Sequence, residues 1–299
     1  MALTRAAPLV NSIPSAGASR PIAVFDSGVG GLSVLDALAA RYPRQTFHYL
    51  GDTFNMPYGE KTPDALLALI AANLRWARDA HDAKLAVFAC NSSTGVLSVC
   101  DLPQKGGPWP RWIGPAEPAC RAAVARGYQR IATLATPTTV QTGLYRRVLH
   151  RLNPSVETLD APAQGLADCI EKGQTKDASF AQAMAQWLRP VIEFVPDAVI
   201  LGCTHYPFVA DIIADMLPPD VALVDPADSM ADAIASWAET GTDAETEAKT
   251  AARVTFSVTG DPQAFARVAR QLPLRHLAID AVQRVDVASD AARPEAITR

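Results

Sequence analysis

The sequence predicts an α/β fold of two similar doubly wound domains built on mainly parallel sheets. Three observations carry that prediction. Apolar runs of four to six residues alternate with helical patterns along nearly the whole chain. Strands apolar on both faces and separated by helices belong in parallel sheets covered on both sides. A Pro- and Gly-rich stretch at 102–112, LPQKGGPWPRW, breaks the rhythm and reads as a crossing between domains. Finally, two of the runs resemble each other and end on cysteine: Ala86-Val87-Phe88-Ala89-Cys90-Asn91-Ser92 and Val199-Ile200-Leu201-Gly202-Cys203-Thr204-His205.

Taken in chain order, the strands are expected at 22–25, 47–50, 85–89, 131–135, 198–201, 221–224 and 254–258. A helix from Leu32 to Tyr42 follows the first. The helix at 63–80 is the clearest, with Thr62 as cap, Pro63 in the first turn and Leu67, Ile70 and Leu74 on one face. Another is expected to start at Ser92, and another after Thr136-Pro137-Thr138-Thr139, capped by Thr138 or Thr139. The break LPPD at 217–220 precedes the strand at 221–224. The resulting plan has a first domain of 21–112 plus 221–285, a second of 113–220, and disordered tails at 1–20 and 286–299.

Composition narrows the function classes. The 299 residues suffice for one large or two modest cores, and 49% hydrophobic with 19% charged residues suits a soluble globular enzyme. A net charge of −4 offers no basic surface to nucleic acid or an anionic membrane. No apolar run approaches the roughly 18 residues of a membrane span. The AGA triplet near the start faintly suggests a signal peptide, but Pro8 breaks the short apolar stretch before it. The five cysteines, at 90, 100, 120, 169 and 203, are odd in number and lack metal spacing, which points to reduced thiols in the cytoplasm. Cys100, Cys120 and Cys169 fall in helical patterns and read as structural.

Chemistry is expected just beyond the carboxyl ends of the strands. Asp26-Ser27-Gly28-Val29-Gly30-Gly31 opens a helix after the first strand, where glycines allow close backbone approach and free N–H groups suit an anion. The spacing is neither GxGxxG nor a P-loop, so it does not point to a nucleotide. Asp26 is either a cap or a proton relay. In Asp52 to Gly59, DTFNMPYG, the Pro57-Tyr58-Gly59 turn can present N–H groups and a phenol to a polar ligand. Cys90 is followed by Asn91, Ser92, Ser93 and Thr94, donors that a buried strand end does not need and that suit a carboxylate. A helix starting there also favours a thiolate. Cys203-Thr204-His205 places an imidazole two positions from a thiol. Zinc needs three or four ligands, and neither cluster has a second local Cys or His, so no metal is expected.

The set DSGVGG, DTFNMPYG, CNSST, ATPTT, GCTHYP and VTGDP, in this order from about residue 21 to 270, resembles the glutamate racemase family. The resemblance implies two α/β domains with the active site in the cleft between them and no cofactor. It implies two catalytic thiols on opposite faces of glutamate, Cys90 for the D and Cys203 for the L enantiomer. Asp26 would assist Cys90 and His205 would assist Cys203. Ser27, Pro57, Tyr58, Gly59, Asn91, Ser92, Thr139 and Thr204 match positions that hold the substrate's carboxylates and ammonium, with Glu171 as a possible ammonium contact. The first cysteine motif is customarily CNTAS and reads CNSST here, so Ser92 replaces Thr and keeps the hydroxyl. A stretch usually written CP reads Ala161-Pro162. The implied role is supply of D-glutamate for peptidoglycan, with a homodimer left open. The alternatives are a racemase for aspartate or a hydantoin, a related decarboxylase, a thiol redox protein, or a non-catalytic amino-acid-binding protein of this fold.

Overall fold

The computed structural model describes residues 20–102, 109–238 and 252–287. Its first parallel sheet holds β1 (Ile22–Asp26), β2 (Thr46–Gly51), β3 (Leu85–Phe88), β4 (Arg111–Ile113), β9 (Arg253–Val258) and β10 (Val282–Arg284), in the order β10-β9-β2-β1-β3-β4. The second holds β5 (Arg130–Ala135), β6 (Glu157–Pro162), β7 (Ala198–Gly202) and β8 (Ala222–Val224), also parallel, in the order β6-β5-β7-β8. Helices α1 (Leu32–Arg41), α2 (Pro63–Asp79) and α3 (Asn91–Leu97) follow the first three strands. After β4 come α4 (Ala116–Ala125), α5 (Pro137–Thr142), α6 (Leu144–Leu152), α7 (Leu166–Glu171), α8 (Ala178–Phe194), α9 (Ala210–Met216), α10 (Pro226–Ala233) and α11 (Pro262–Ala269).

Each sheet is buried on both faces, which is why its central strands are apolar without alternation. On one face of the first sheet Leu35, Tyr49, Met230 and Phe265 form a core with α1, α10 and α11; on the other Phe25, Ile70 and Trp76 pack under α2. The second sheet is covered by α8 through Met184 and Leu188, and on its opposite face by α4 and α6 through Ala119, Tyr145 and Leu149. Helix α2 starts as its sequence predicts: Thr62 accepts from the N–H of Ala65 and Pro63 takes the first position.

Several expectations are corrected. β8, expected in the first domain, pairs with β7 in the second sheet, so the chain returns only after Val224. Asp26 does not cap α1; Gly31 holds that position. The cap of α5 is Thr136, whose hydroxyl accepts from the N–H of Thr139, because Pro137 rather than the threonines occupies the first turn. Helix α3 begins at Asn91, and Cys100 lies beyond its end. The predicted tails fall largely outside the described residues. Yet Arg20 hydrogen-bonds the Asp82 carbonyl at 3.0 Å, and Val287 is buried in the core under α2, so the packed chain reaches past both boundaries.

Candidate active site

The carboxyl ends of the two sheets meet at one cavity of about 70 Å³. β1 delivers Asp26 and Ser27, β3 delivers Cys90, β5 delivers Thr136 and β7 delivers Cys203. Both thiols line the cavity and each is only 6% exposed. Ser27, Pro57, Tyr58, Gly59, Asn91, Ser92, Thr204, His205 and Glu171 line it too. Asp26 lies buried beside the cavity, its carboxylate accepting from the Gly28 N–H at 3.1 Å and from the Thr204 hydroxyl at 3.0 Å. That second bond joins the two domains directly above their strand ends.

His205 and Glu171 form the densest electrostatic contact of the site. Nδ1 of His205 lies 3.7 Å from the Cys203 sulfur, and Nε2 lies 2.7 Å from Oε1 of Glu171. Burial disfavours the imidazolium, but these two hydrogen bonds outweigh it and raise His205 well above 6.5. Glu171 also accepts from the Val29 N–H at 2.9 Å. The open amides after β1 therefore take an anion, as the sequence suggested, but it is the protein's own carboxylate. A Cβ on Gly28 would stand 2.0 Å from Glu171 Oε1, and one on Gly30 2.4 Å from His205 and Thr204. The glycines of DSGVGG thus serve the close approach of the two domains.

Around Cys90 the balance differs. Burial first, and then the charge of Asp26, push its thiol up to about 12. Burial likewise raises Asp26 above the usual carboxylate range, with His205 opposing. Tyr145 donates to Asn91 Oδ1 at 2.6 Å, which fixes the amide and leaves its NH2 as donor.

Some expected contacts fall elsewhere. The Tyr58 phenol is not offered to a ligand: it donates to Asp52, which is also held by Thr259 at 2.6 Å. The Thr139 hydroxyl pairs with that of Thr136 at 3.1 Å, and it is Thr136 that lines the wall, bonded to Ser92 at 3.0 Å. Thr136 carries no signal of its own in the sequence, where the cap is expected at Thr138 or Thr139. Met56, within DTFNMPYG but not singled out there, also lines the cavity, as do Glu60 and Asp168, which carried no motif signal. Glu117 does not reach it, being held by Arg121 at 2.7 Å and by Arg151. Among the described residues no group of three or more His, Cys, Asp or Glu is placed to hold a metal ion, all five cysteines are free, and no helix is long and apolar enough to cross a membrane.

Two parallel-sheet domains that join their strand ends around one cavity, with polar groups converging on it, define an α/β enzyme acting on a small molecule. The family follows from comparison with known proteins. Residues 32–234 match the model of the Asp/Glu/Hydantoin racemase family, and the chain belongs to that family. It is 41% identical over 211 residues to a glutamate racemase of Pseudomonas entomophila, covering 69% of this chain and 77% of that one. A glutamate racemase of Gloeobacter violaceus is 33% identical over 251 residues, 83% of this chain and 90% of its own. Among solved structures, glutamate racemase from Thermus thermophilus in complex with β-chloro-D-alanine superposes with a TM-score of 0.73 at 32% identity, covering 90% and 98% of the two chains.

Proposed function

We propose that this enzyme interconverts L- and D-glutamate by proton transfer at the α-carbon between Cys90 and Cys203, supplying D-glutamate for peptidoglycan. The observation that supports it most is the presence of two buried thiols, from strand ends of opposite sheets, in the wall of one cavity. Inversion of an α-carbon needs a base on one face and an acid on the other, because a single base returns its proton to the face it left. With D-glutamate, the Cys90 thiolate takes the α-proton and the Cys203 thiol returns one to the opposite face. With L-glutamate the roles reverse. His205, held as imidazolium against Cys203 by Glu171, keeps a proton at hand for that sulfur.

The substrate brings two carboxylates and an ammonium. Asn91, Ser92, Thr136 and Thr204 supply neutral donors for the carboxylates, and the carboxylates of Asp26 and Glu171 suit the ammonium. Charge developing on the α-carboxylate in the transition state is met by donors that are already buried and oriented. A cytoplasmic location fits the reduced thiols, and a homodimer is open to test by sedimentation.

The test is circular dichroism of L- and D-glutamate, with aspartate and a hydantoin beside them, incubated with protein freed of metal and pyridoxal phosphate. Glutamate is racemised from either side, and in D2O the product carries deuterium at the α-position. Turnover of aspartate or the hydantoin in preference to glutamate overturns the substrate. Product without α-deuterium overturns the proton-transfer mechanism.

A further inference from the structure

Tyr49 of β2 is fully buried, its ring packed against Phe256 and Phe265 with centroids 6.2 and 6.0 Å away. A phenylalanine would fill that core as well, and a buried hydroxyl is costly unless it is bonded. Here it is bonded to the turn that leads from β1 into α1. The carbonyls of Val29, Gly30 and Gly31 serve the first amides of the helix. The carbonyl of Gly28, just ahead of them, accepts from the Tyr49 hydroxyl at 2.7 Å. That carbonyl shares one rigid peptide plane with the N–H of Val29, so holding the oxygen aims the N–H. The N–H donates to Oε1 of Glu171 at 2.9 Å. The same oxygen lies 2.7 Å from Nε2 of His205, whose Nδ1 lies 3.7 Å from the Cys203 sulfur. One line of contacts therefore runs from the core of the first domain, across the seam, to the thiol at the end of β7. Hydrogen bonds in such a line polarise one another, so the Tyr49 bond also strengthens the donor that Val29 offers the carboxylate.

We infer that Tyr49 is a positioning residue of the reaction: by fixing the Gly28–Val29 peptide it pins the Glu171 carboxylate on His205, and so sets the imidazole against Cys203. It touches neither the substrate nor a reacting atom. The inference rests on the reading of Cys203 as one of the two acid–base thiols. It makes the Cys203 side of the site depend on both domains. The imidazole and its carboxylate come from the second, and the amide that aims the carboxylate comes from the first.

The experiment is an NMR titration of the His205 imidazole in protein carrying isotope-labelled histidine, from about pH 6 to about pH 10. Its signal is assigned among the five histidines by its loss in His205→Asn. In Tyr49→Phe the ring still fills the core, but the peptide is free to tilt and Oε1 of Glu171 loses its pin. The carboxylate then spends part of its time away from the imidazole. The midpoint of His205 falls by about half a pH unit to one, the threefold to tenfold effect of about one hydrogen bond. In a Glu171→Ala background Val29 has no carboxylate to hold, so adding Tyr49→Phe moves the midpoint no further. A midpoint that stays in place or rises in Tyr49→Phe overturns the proposal. An equal fall in both backgrounds assigns the effect to a loosened core and overturns it too. Glutamate racemisation by the unaltered protein is measured separately. Its absence, with the His205 shift present, removes the substrate reading and leaves Tyr49's hold on Glu171 in place; the reverse pattern removes Tyr49's role alone.

Discussion

At the scale of single residues, the two halves of the site are tuned by different groups. Cys90 is pushed up to about 12 by burial and the charge of Asp26, whereas His205 beside Cys203 is raised by hydrogen bonds to that sulfur and to Glu171. The proposed exchange needs both thiols, so Cys90→Ser and Cys203→Ser each lower kcat by at least about a hundredfold, the scale of a lost acid or base. Either mutant racemising at the parent rate in a circular-dichroism assay refutes the pair. Glu171 permits a sharper experiment, because it stabilises the imidazolium of His205 from 2.7 Å. In Glu171→Gln that charge is gone and the pKa of His205 falls toward its ordinary value. If His205 acts as the proton source for Cys203, the alkaline limb of the kcat profile moves down by about one pH unit or more. An alkaline limb that stays in place, with only KM raised, makes Glu171 an ammonium contact and no partner of His205.

At the scale of elements, what the sequence discloses depends on how completely an element is buried. β1, β3, β5 and β7 lie inside their sheets, apolar on both faces, and were legible within a residue or two. β6 was missed because it is an edge strand whose exposed and half-buried positions include Glu157, Thr158, Leu159 and Asp160. β4 and β10 are three residues each, and their pairing comes from tertiary contact and not from local pattern. The same distinction runs through the site. Residues at the ends of buried strands, Asp26, Cys90 and Cys203, stand out because polar groups there break an apolar run. The turn of Tyr58 is decided by Asp52 and by Thr259, 201 positions away, which nothing local announces. The turn from β1 into α1 yields a prediction at this scale. In Gly30→Ala the added methyl meets His205 and Thr204 at 2.4 Å, so the two strand ends must separate at the seam. Activity falls by about a hundredfold, the cost of misplacing catalytic groups by about an ångström. The cores on either side of the sheets are untouched, so the melting temperature falls by only a few degrees. Parent-like activity in this variant contradicts the assignment of Gly30 to domain approach.

At the scale of the whole molecule, hydrogen bonds between the domains ring the cavity: Thr204 to Asp26, Ser33 to the Thr204 carbonyl at 3.1 Å, Thr138 to the Gly59 carbonyl at 2.7 Å, and Ser92 to Thr136. A ligand enclosed by that ring stabilises both domains together. Glutamate at about a hundred times its Kd therefore adds about 2.7 kcal/mol to the stability of the fold, read as a rise in melting temperature. Far from the cavity a second pH-dependent feature acts on stability alone. His48 of β2 and His81 after α2 stack with ring centroids 4.1 Å apart, and Trp76 meets His81 edge-on at 4.1 Å. Burial, and then the neighbouring His48, lower His81 to about 4; burial lowers His48 as well. Groups lowered in the folded state leave the unfolded chain binding more protons in acid. Their contribution is thus fully present above pH 6.5 and is lost as the pH falls toward about 4. The full lowering of His81 corresponds to about 3.4 kcal/mol, and because the ring is only half-buried, solvent screening reduces this to about 1–2 kcal/mol. Asp26 and Asp160, both raised by burial, act with the opposite sign, since their protonation favours the folded state. The comparison that isolates the histidines is therefore between variants and not between pH values alone. Urea midpoints of the parent and His81→Gln are measured at about pH 7.5 and about pH 5. The parent loses more stability on acidification than the variant does, by about 1 kcal/mol, because glutamine takes up no proton in either state. An equal loss in the two proteins shows that the stacked pair titrates alike folded and unfolded, and that the acid response lies in the carboxylates.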